Sequence, residues 1–482
     1  MKKQFILISL FIFLSFNLFA QTFDGEWSAD YVTPDNQFAL NSVGERVISV
    51  GAFENNSFVA LVNRTDNNNY YIVGYKDATH DSGKLGNYPY GAADYQTKWI
   101  NLFDQAFLFE AEDLATAGSL IYVANNDEDH NILVFEMKDD SVYSYPQRFK
   151  TGTDKNLWAI DVDENNNIFV TSGGDSNSTG SVLIYNSTDW SSAGNSGTLL
   201  HEITDIPDNG LLRGLTVNND GTVLYVSNWL SKKVYCYIGN PTDGYSLYDG
   251  FNFDANTDFD TQAATDPIIE VGPWGLQYMD SKNLLLVCHD ADFGRGNNYN
   301  YGRIYLTNPN TGEILDTLNV AEWNFAQSGM YNNPDSLGTA SGYASVFNVD
   351  YDDQFNLYSQ TFYGWAVDKW QYSSELPTIE LTITSVEKID NTIPERFTLE
   401  QNYPNPFNPT TTIEFSVTEQ SNVSLSIYSI TGELVTKLID GENYNSGTYK
   451  ISLDASLLTS GTYFYRLQNG NNTISKKMTL LK

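Results

Sequence analysis

The chain has 482 residues, which is enough for two or three domains with sizeable cores. Its 60 acidic and 26 basic residues give a formal net charge of −34, and nearly all of the excess lies in the middle of the chain. So strong an acidic excess argues against nucleic acid and anionic membrane as partners, because both are bound through Lys and Arg. The charge is compatible with cations or basic proteins as partners, and an acidic surface that keeps the protein soluble is the simpler interpretation.

The first 20 residues have the pattern of a secretory signal peptide. Lys2 and Lys3 precede an apolar run over residues 5–19, and Ala20 stands at a plausible cleavage point. The run is shorter than the ~20 residues that a membrane-spanning helix needs. We therefore expect residues 1–20 to be removed on export, and the mature chain to carry no transmembrane anchor.

A repeated pattern of short strands fills the chain from about residue 45 to residue 373. Each copy has an apolar strand, a turn rich in Asp, Asn or Gly, a second strand and then a third. The stretches 158–170 and 213–226 can be laid over each other, and about six copies are present. Short strands recurring every ~45–70 residues are typical of a β-propeller, whose blades cannot bury their faces alone. We predict an all-β fold with a propeller of six or seven blades over residues 21–375, and a β-helix as the alternative.

The ends of this region are candidates for closing the ring. Residues 22–45 or 376–385 would complete the last blade or supply a seventh. The repeats resemble those of NHL and gluconolactonase-like propellers, notably at 274–276 (Trp-Gly-Leu) and 308–312 (Asn-Pro-Asn-Thr-Gly). The resemblance implies a central channel in which Glu, Asn and Asp side chains hold a divalent metal.

Matching positions near the start of the inner strands are expected to line that channel. They are occupied by Glu110, Trp158, Arg213, Trp274 and Phe347. One acid, one base and three aromatics suit a glycan or an organic anion better than a metal, through stacking and a bidentate Arg. The alternative is that the aromatic side chains simply plug the channel. The function predicted here is ligand binding without catalysis, with a propeller hydrolase or lactonase and a structural envelope scaffold as alternatives.

Other candidate site residues are few. The chain lacks the common motifs of zinc proteases, serine hydrolases, phosphate loops and redox thiols. His289 ends a strand where an Asp-rich loop begins, so it is a candidate ligand-binding residue, with an exposed loop histidine as the alternative. Asp161, Asp163 and Asn165 space oxygen atoms as calcium loops do, but glycine at the sixth position and glutamate at the twelfth are missing. Calcium is therefore one interpretation and a plain blade turn is the other.

Two cysteines, Cys236 and Cys288, allow one disulfide or two buried thiols.

After the repeats, residues 376–394 have the composition of a last strand and a linker. The segment 403–409 contains three prolines, which exclude helix and predict a stiff, extended start to the next module. Apolar residues then alternate with polar ones in several short stretches, which predicts an Ig-like sandwich over residues 395–482.

This last module resembles the C-terminal sorting domain of proteins exported by the type IX secretion system. The resemblance rests on residues 428–435, residues 460–465 and a sorting motif at the two ends of the module. The sorting motif comprises Tyr403, Pro404, Asn405, Pro406, Phe407, Asn408, Pro409, Lys476 and Lys477. It implies contact with the type IX machinery and passage through the periplasm to the outside, where the body is released or attached to the cell surface. An ordinary Ig-like adhesion domain is the alternative.

Overall fold

The computed structural model shows an all-β protein, and its described residues contain 33 strands, β1 to β33, arranged in eight sheets. None of the helices among the described residues is long and apolar enough to cross a membrane. The predicted signal peptide lies outside the described residues. The structure describes residues 23, 25–32, 45–54, 56–64, 69–75, 98–100, 108–138, 141–151, 155–186, 195–255, 271–291, 302–320, 346–361, 366–381, 386–390, 394, 396–408, 410–455, 458–470 and 472–481.

Six of the sheets follow one another along the chain and are the blades, I to VI. Blade I contains β2 (Glu45–Phe53), β3 (Ser57–Arg64), β4 (Asn69–Tyr75) and β5 (Lys98–Ile100). Blade II contains β6 (Asp113–Ala117), β7 (Leu120–Asp127), β8 (His130–Lys138) and β9 (Ser141–Lys150), with β13 (Asn195–Ser196) added at its edge. Blade III contains β10 (Leu157–Val162), β11 (Ile168–Asp175), β12 (Ser178–Tyr185) and β14 (Leu199–Ile203).

The other three blades repeat this meander. Blade IV contains β15 (Leu212–Val217), β16 (Val223–Asn228), β17 (Lys233–Asn240) and β18 (Gly244–Leu247). Blade V contains β19 (Val271–Met279), β20 (Leu284–Ala291), β21 (Arg303–Thr307) and β22 (Ile314–Leu318). Blade VI contains β23 (Val346–Tyr351), β24 (Leu357–Thr361), β25 (Ala366–Tyr372) and, out of order, β1 (Trp27–Val32).

The ring closes through the N-terminal strand. β1 pairs antiparallel with β25, so the two ends of the propeller region meet in one sheet. The first strands of the blades contact one another in the cycle β2, β6, β10, β15, β19, β23 and back to β2. The body is therefore a six-bladed propeller, closed by one of the two segments named from the sequence.

Polar side chains on these first strands join neighbouring blades. Asp113 Oδ2 in blade II accepts a hydrogen bond from the backbone N–H of Ile160 in blade III at 3.1 Å. Asp161 Oδ2 in blade III accepts one from the N–H of Val217 in blade IV at 2.9 Å. Both carboxyl groups are buried, and such groups are normally hydrogen-bonded in folded proteins. Their role here is to hold blade against blade around the channel.

The two cysteines lie on neighbouring blades and are not bridged to each other. Cys236 and Cys288 are both buried, and they belong to different core clusters. Of the two alternatives that the sequence left open, the structure shows the unbridged one.

The last two sheets form the C-terminal sandwich. One sheet has the order β26 (Val386–Asp390), β31 (Gly447–Asp454), β28 (Thr410–Val417) and β27 (Thr398–Leu399). The other has the order β30 (Leu434–Tyr444), β29 (Ser421–Ser429), β32 (Gly461–Asn469) and β33 (Asn472–Leu480). Ile413, Phe415 and Val417, whose alternation predicted a half-buried strand, are fully buried in the core between the sheets.

The predicted linker over residues 376–394 is wrong in its second half. Residues 386–390 are β26, which pairs antiparallel with β31 and belongs to the sandwich. The sequence Val-Glu-Lys-Ile-Asp has little apolar alternation, and the pairing register shifts inside it, so periodicity does not reveal this strand. The first half of the segment lies against blade V, where the N–H of Ile379 donates to the carbonyl oxygen of Lys282 at 2.9 Å.

Candidate ligand-binding site at the channel mouth

Four of the five predicted channel residues occupy the same place in blades III to VI. Each lies near the start of the first strand of its blade, where the pairing register with the second strand shifts. A shift of this kind is a β-bulge, which bends the strand and re-aims a side chain. The four residues are Trp158, Arg213, Trp274 and Phe347.

These residues form one continuous stack around Arg213. Its guanidinium carbon lies 4.1 Å from the ring centroid of Trp158 and 4.8 Å from that of Trp274. The Trp274 ring then meets the ring of Phe347 at 4.3 Å, and meets the edge of Trp229 at 5.9 Å. An arginine over an indole is attracted by the negative face of the ring, by about 0.5–2 kcal/mol per contact. The stack thus links four blades around one cation.

Glycines next to the stack allow the blades to come this close. A Cβ at Gly214, directly after Arg213, would collide with the carbonyl oxygen of Trp274. A Cβ at Gly275, directly after Trp274, would collide with the carbonyl oxygen of Phe347. The pairs Arg-Gly and Trp-Gly in the sequence therefore place a large side chain in the stack and leave room for the next blade beside it.

The fifth predicted residue, Glu110, lies outside the stack, and the acid at the equivalent position is Glu112. Glu112 Oε2 lies 3.7 Å from Arg213 Nη1, which is an ion pair but too long for a hydrogen bond. Glu110 is exposed, and its carbonyl oxygen accepts a hydrogen bond from Asn126 Nδ2 at 2.8 Å.

A short turn explains the error. In blade II, Ala115 pairs with Tyr122, 7 residues further on, whereas in blade IV Thr216 pairs with Tyr225, 9 residues further on. The β6–β7 hairpin is therefore two residues shorter, and aligning the repeats by their second strands misplaces the first strand by two positions.

The ion pair lies partly out of water. The side chain of Arg213 is 17% exposed and that of Glu112 is 32% exposed. Burial raises the pKa of Glu112 to about 7, and the charge of Arg213 acts against this rise. Burial also lowers the pKa of Arg213, while Glu112 acts to raise it. As pH falls through about 7, Glu112 takes up a proton and loses its negative charge. The charge of Arg213 is then no longer compensated, so the mouth of the channel becomes more positive.

Two N–H donors in the stack have no hydrogen-bond partner. Arg213 Nε and Trp229 Nε1 are both buried without one, whereas Trp158 Nε1 donates to the carbonyl oxygen of Gly173 at 3.0 Å. A buried donor without a partner costs about 1–3 kcal/mol, so such donors are uncommon. Sequence reasoning missed Trp229, although a tryptophan at the end of a second strand, one blade before Trp274, is a signal for it.

His289 does not join the site. It is 3% exposed, and its ring lies 5.6 Å from Tyr305 and 6.4 Å from Phe253. Burial lowers its pKa to about 3, with Arg303 acting in the same direction. The expectation of an exposed loop histidine is wrong because the strand β20 continues past this residue, and its buried ring packs against Phe253 and Tyr305.

Of the residues proposed for calcium, Asp163 has both carboxylate oxygens engaged in the turn, and Asp161 Oδ2 accepts hydrogen bonds from blade IV. Asp163 Oδ1 accepts hydrogen bonds from the N–H groups of Asn165 and Asn167 at 2.9 and 2.8 Å. Asp163 Oδ2 accepts one from Asn167 Nδ2 at 2.7 Å. Asp352 makes the equivalent bonds in blade VI, as expected for a turn that recurs between blades. Calcium at this turn stays a prediction, and the hydrogen bonds of the turn account for Asp163 without an ion.

A divalent metal of the kind implied by the lactonase resemblance does not fit the mouth. The polar side chains of the stack are one carboxylate and one guanidinium, and a guanidinium is never a metal ligand. In the part of the chain that the structure describes, no group of three or more His, Cys, Asp or Glu side chains is arranged to hold a metal ion.

The structure brings the two ends of the sorting motif together. Phe407 is 2% exposed in the core of the sandwich, and it pairs in parallel with Leu480 on the last strand. Asn405 Oδ1 accepts a hydrogen bond from the N–H of Thr479 at 3.0 Å, and Asn405 Nδ2 donates to the carbonyl oxygen of Lys477 at 3.3 Å. The segment is therefore part of the module and not the stiff lead-in predicted from its prolines. Pro409 lies outside the described residues.

Residues 401–480 match the model of a family described as the secretion system C-terminal sorting domain. This stretch is a type IX sorting domain. It implies that the protein is exported by type IX secretion, to the cell surface or beyond. We refer to the sandwich that contains it as the sorting domain. No curated protein matches the chain.

Several solved β-propellers resemble the body, all distantly. The β-propeller domain of Myceliophteria thermophila Cps50 (Swd1) has 8% identity, with 71% of this chain and 99% of that chain covered and a TM-score of 0.34. A putative 6-phosphogluconolactonase from Bacteroides uniformis has 10% identity, with 67% and 87% covered and a TM-score of 0.37. The SapL1 lectin in complex with alpha methyl fucoside has 9% identity, with 70% and 97% covered and a TM-score of 0.36. Scores this low carry no functional argument, and the six sheets of the chain itself define the propeller.

Proposed function

We propose that this protein is an exported β-propeller that binds a ligand at the mouth of its channel, with no catalysis required. The ligand is an oxygen-rich organic molecule with a flat apolar face, which describes acidic sugars and small aromatic acids. The observation that carries the proposal is Arg213, stacked between two indoles with a buried N–H group that lacks a partner.

The plug alternative explains the aromatic residues but not the arginine. Apolar side chains of similar volume usually fill a buried position as well as an ion pair does, or better, because ions lose hydration on burial. Arg213 has one ionic contact, at 3.7 Å, and leaves Nε without a partner. It is thus a costly residue for filling space, and a residue of this kind in a channel mouth is better explained by binding.

The chemistry of the mouth selects the class of ligand. The indoles of Trp158 and Trp274 are both partly exposed, so an apolar ring face can stack on them. Arg213 and Trp229 supply donors, and a guanidinium binds carboxylates in preference to neutral groups. The strongly acidic body repels anions elsewhere, so a single channel arginine stands out as the place for one.

Titration of the mature chain tests this function. Glucuronate, galacturonate and benzoate are the acidic probes, and methyl glucoside is the neutral one, with calorimetry and tryptophan fluorescence as readouts. We expect Arg213→Met to weaken binding of an acidic probe by about 10- to 100-fold, because a hydrogen bond to a charged group contributes about 1.5–3 kcal/mol. Arg466→Met is the matched control, because Arg466 also lies over an aromatic ring, that of Tyr428 at 4.6 Å, but in the sorting domain.

Equal affinities for wild type and Arg213→Met would contradict the proposed site. Failure of every probe to bind the wild type would contradict the ligand class and favour the structural scaffold.

A further inference from the structure

A row of apolar side chains crosses one entire face of the sorting domain. Tyr428 on β29 pairs with Leu434 on β30 and with Phe464 on β32, and Phe464 pairs with Lys477 on β33. Directly paired residues of neighbouring strands have their side chains on the same face of the sheet. The row therefore spans all four strands and ends in a lysine at the edge.

This row is exposed to solvent. Leu434 is 51% exposed and Phe464 is 39% exposed, and Ile430, in the turn before β30, is 72% exposed. Among the described residues, five of the seven exposed large hydrophobic side chains lie in the sorting domain, which is about a fifth of the chain. The other two of the five are Tyr403 and Leu481. Exposed apolar residues concentrated in one small domain are typical of a surface that meets a partner.

Cations occupy the row next to it on the same face. The next row on the same face pairs Ser426 with Lys437 and with Arg466, and pairs Arg466 with Ser475. Lys437, Arg466 and Lys477 are all exposed. Neither row contains an acidic residue, in a chain with a net charge of −34. The complement to this face is a surface that is apolar at its centre and acidic at its border.

The sorting motif adjoins the same face. At the edge beyond β33, Gln401 Nε2 donates to the carbonyl oxygen of Lys477 at 2.8 Å, and Asn405 Nδ2 donates to the same oxygen at 3.3 Å. Tyr403, between these two residues, is 81% exposed. The segment at the start of the family match therefore lies beside the lysine at the edge of the row. The propeller touches the other sheet of the sandwich, through a contact between β17 and β26.

We propose that this basic aromatic face is where the sorting domain docks on a protein of the export machinery whose contact surface is apolar and acidic. The face consists of Leu434, Tyr428, Phe464, Lys437, Arg466 and Lys477. The proposal rests on the sorting-domain assignment and is independent of ligand binding by the propeller.

Export of the full-length chain in its own host tests the face. The double variant Arg466→Glu and Lys477→Glu reverses two of the three cations, and Phe464→Ser removes the centre of the row. Each is scored as the fraction of protein recovered outside the cells, by immunoblot. We expect about a tenfold fall for each, because like charges or a lost anchor at a contact weaken it by at least ~1.4 kcal/mol. Lys450→Glu is the control, since Lys450 is exposed on the other sheet of the sandwich.

Melting of the purified variants separates a docking defect from a folding defect. A variant that melts like the wild type and stays in the periplasm supports the proposal. Normal export of both face variants would overturn it. Deletion of residues 395–482 tests the sorting-domain assignment separately from the docking face. If that deletion blocks export while the face variants do not, the proposed docking face is wrong and the sorting-domain assignment still holds. Binding of the purified chain to vesicles of anionic lipid through Arg466 and Lys477, with export unchanged in the variants, would also overturn it.

Discussion

Replacing Glu112 by Gln should flatten the dependence of propeller stability on pH. The pKa of Glu112 rises from 4.5 to about 7 on folding, mainly through burial. Between these two values the unfolded chain has lost the proton and the folded chain keeps it, so the free energy of unfolding falls as pH rises. Below pH 4.5 both states are protonated, and above pH 7 the loss is complete.

The size of the effect follows from the site. A pKa that moves from 4.5 to about 7 corresponds to ~3 kcal/mol at most, at ~1.4 kcal/mol per pH unit. Glu112 is 32% exposed, and solvent screening reduces this to about 1–2 kcal/mol. We therefore expect Glu112→Gln to match the wild type near pH 4.5 and to exceed its stability by ~1–2 kcal/mol at pH 8.

Urea unfolding at a series of pH values measures this directly. All 9 tryptophans lie before residue 376, so indole fluorescence reports the propeller without the sorting domain. Glu202→Gln is the control, because Glu202 is exposed on β14, the outermost strand of blade III. Parallel pH profiles for wild type and Glu112→Gln would refute the account of the ion pair.

Three further outcomes are expected. A chelator should leave the melting temperature unchanged, because both oxygens of Asp163 already accept hydrogen bonds from the turn; a fall of several degrees would instead show a bound ion. Phe407→Ala should lower the stability of the sorting domain by about 3–5 kcal/mol, because it empties a fully packed core position, and should leave the fluorescence transition of the propeller in place. Asp161→Asn should destabilise the propeller by ~1–3 kcal/mol in urea unfolding, because one of its acceptor oxygens joins blades III and IV; a loss below ~0.5 kcal/mol would contradict that role.

The repeat pattern was enough to predict the architecture and most of the stack. Alternating apolar residues and turn signals mark each blade, and Trp158, Arg213 and Trp274 follow from aligning the copies. The same alignment failed for Glu112, because the length of one hairpin changed by two residues and a fixed period does not detect that. Aligning the repeats at a fixed period identifies equivalent residues only between blades whose hairpin turns have equal length.

Contacts between distant parts of the chain could not be predicted from local patterns. The prolines around Phe407 exclude helix, but only its pairing with Leu480, at the far end of the module, shows that this residue is core. β26 is recognised as a strand by its partner β31 and not by its own sequence. His289 had a neighbouring acidic loop as its only signal, and its burial against Phe253 and Tyr305 is a property of the packed structure.

A crystal structure of the mature chain with the tightest-binding acidic probe tests the central claim most directly. The account predicts that the probe lies at the channel mouth, stacked on Trp158 or Trp274, with an oxygen atom within hydrogen-bond distance of Arg213. A probe bound elsewhere, with Arg213 still enclosed between the two indoles and paired with Glu112, would contradict it.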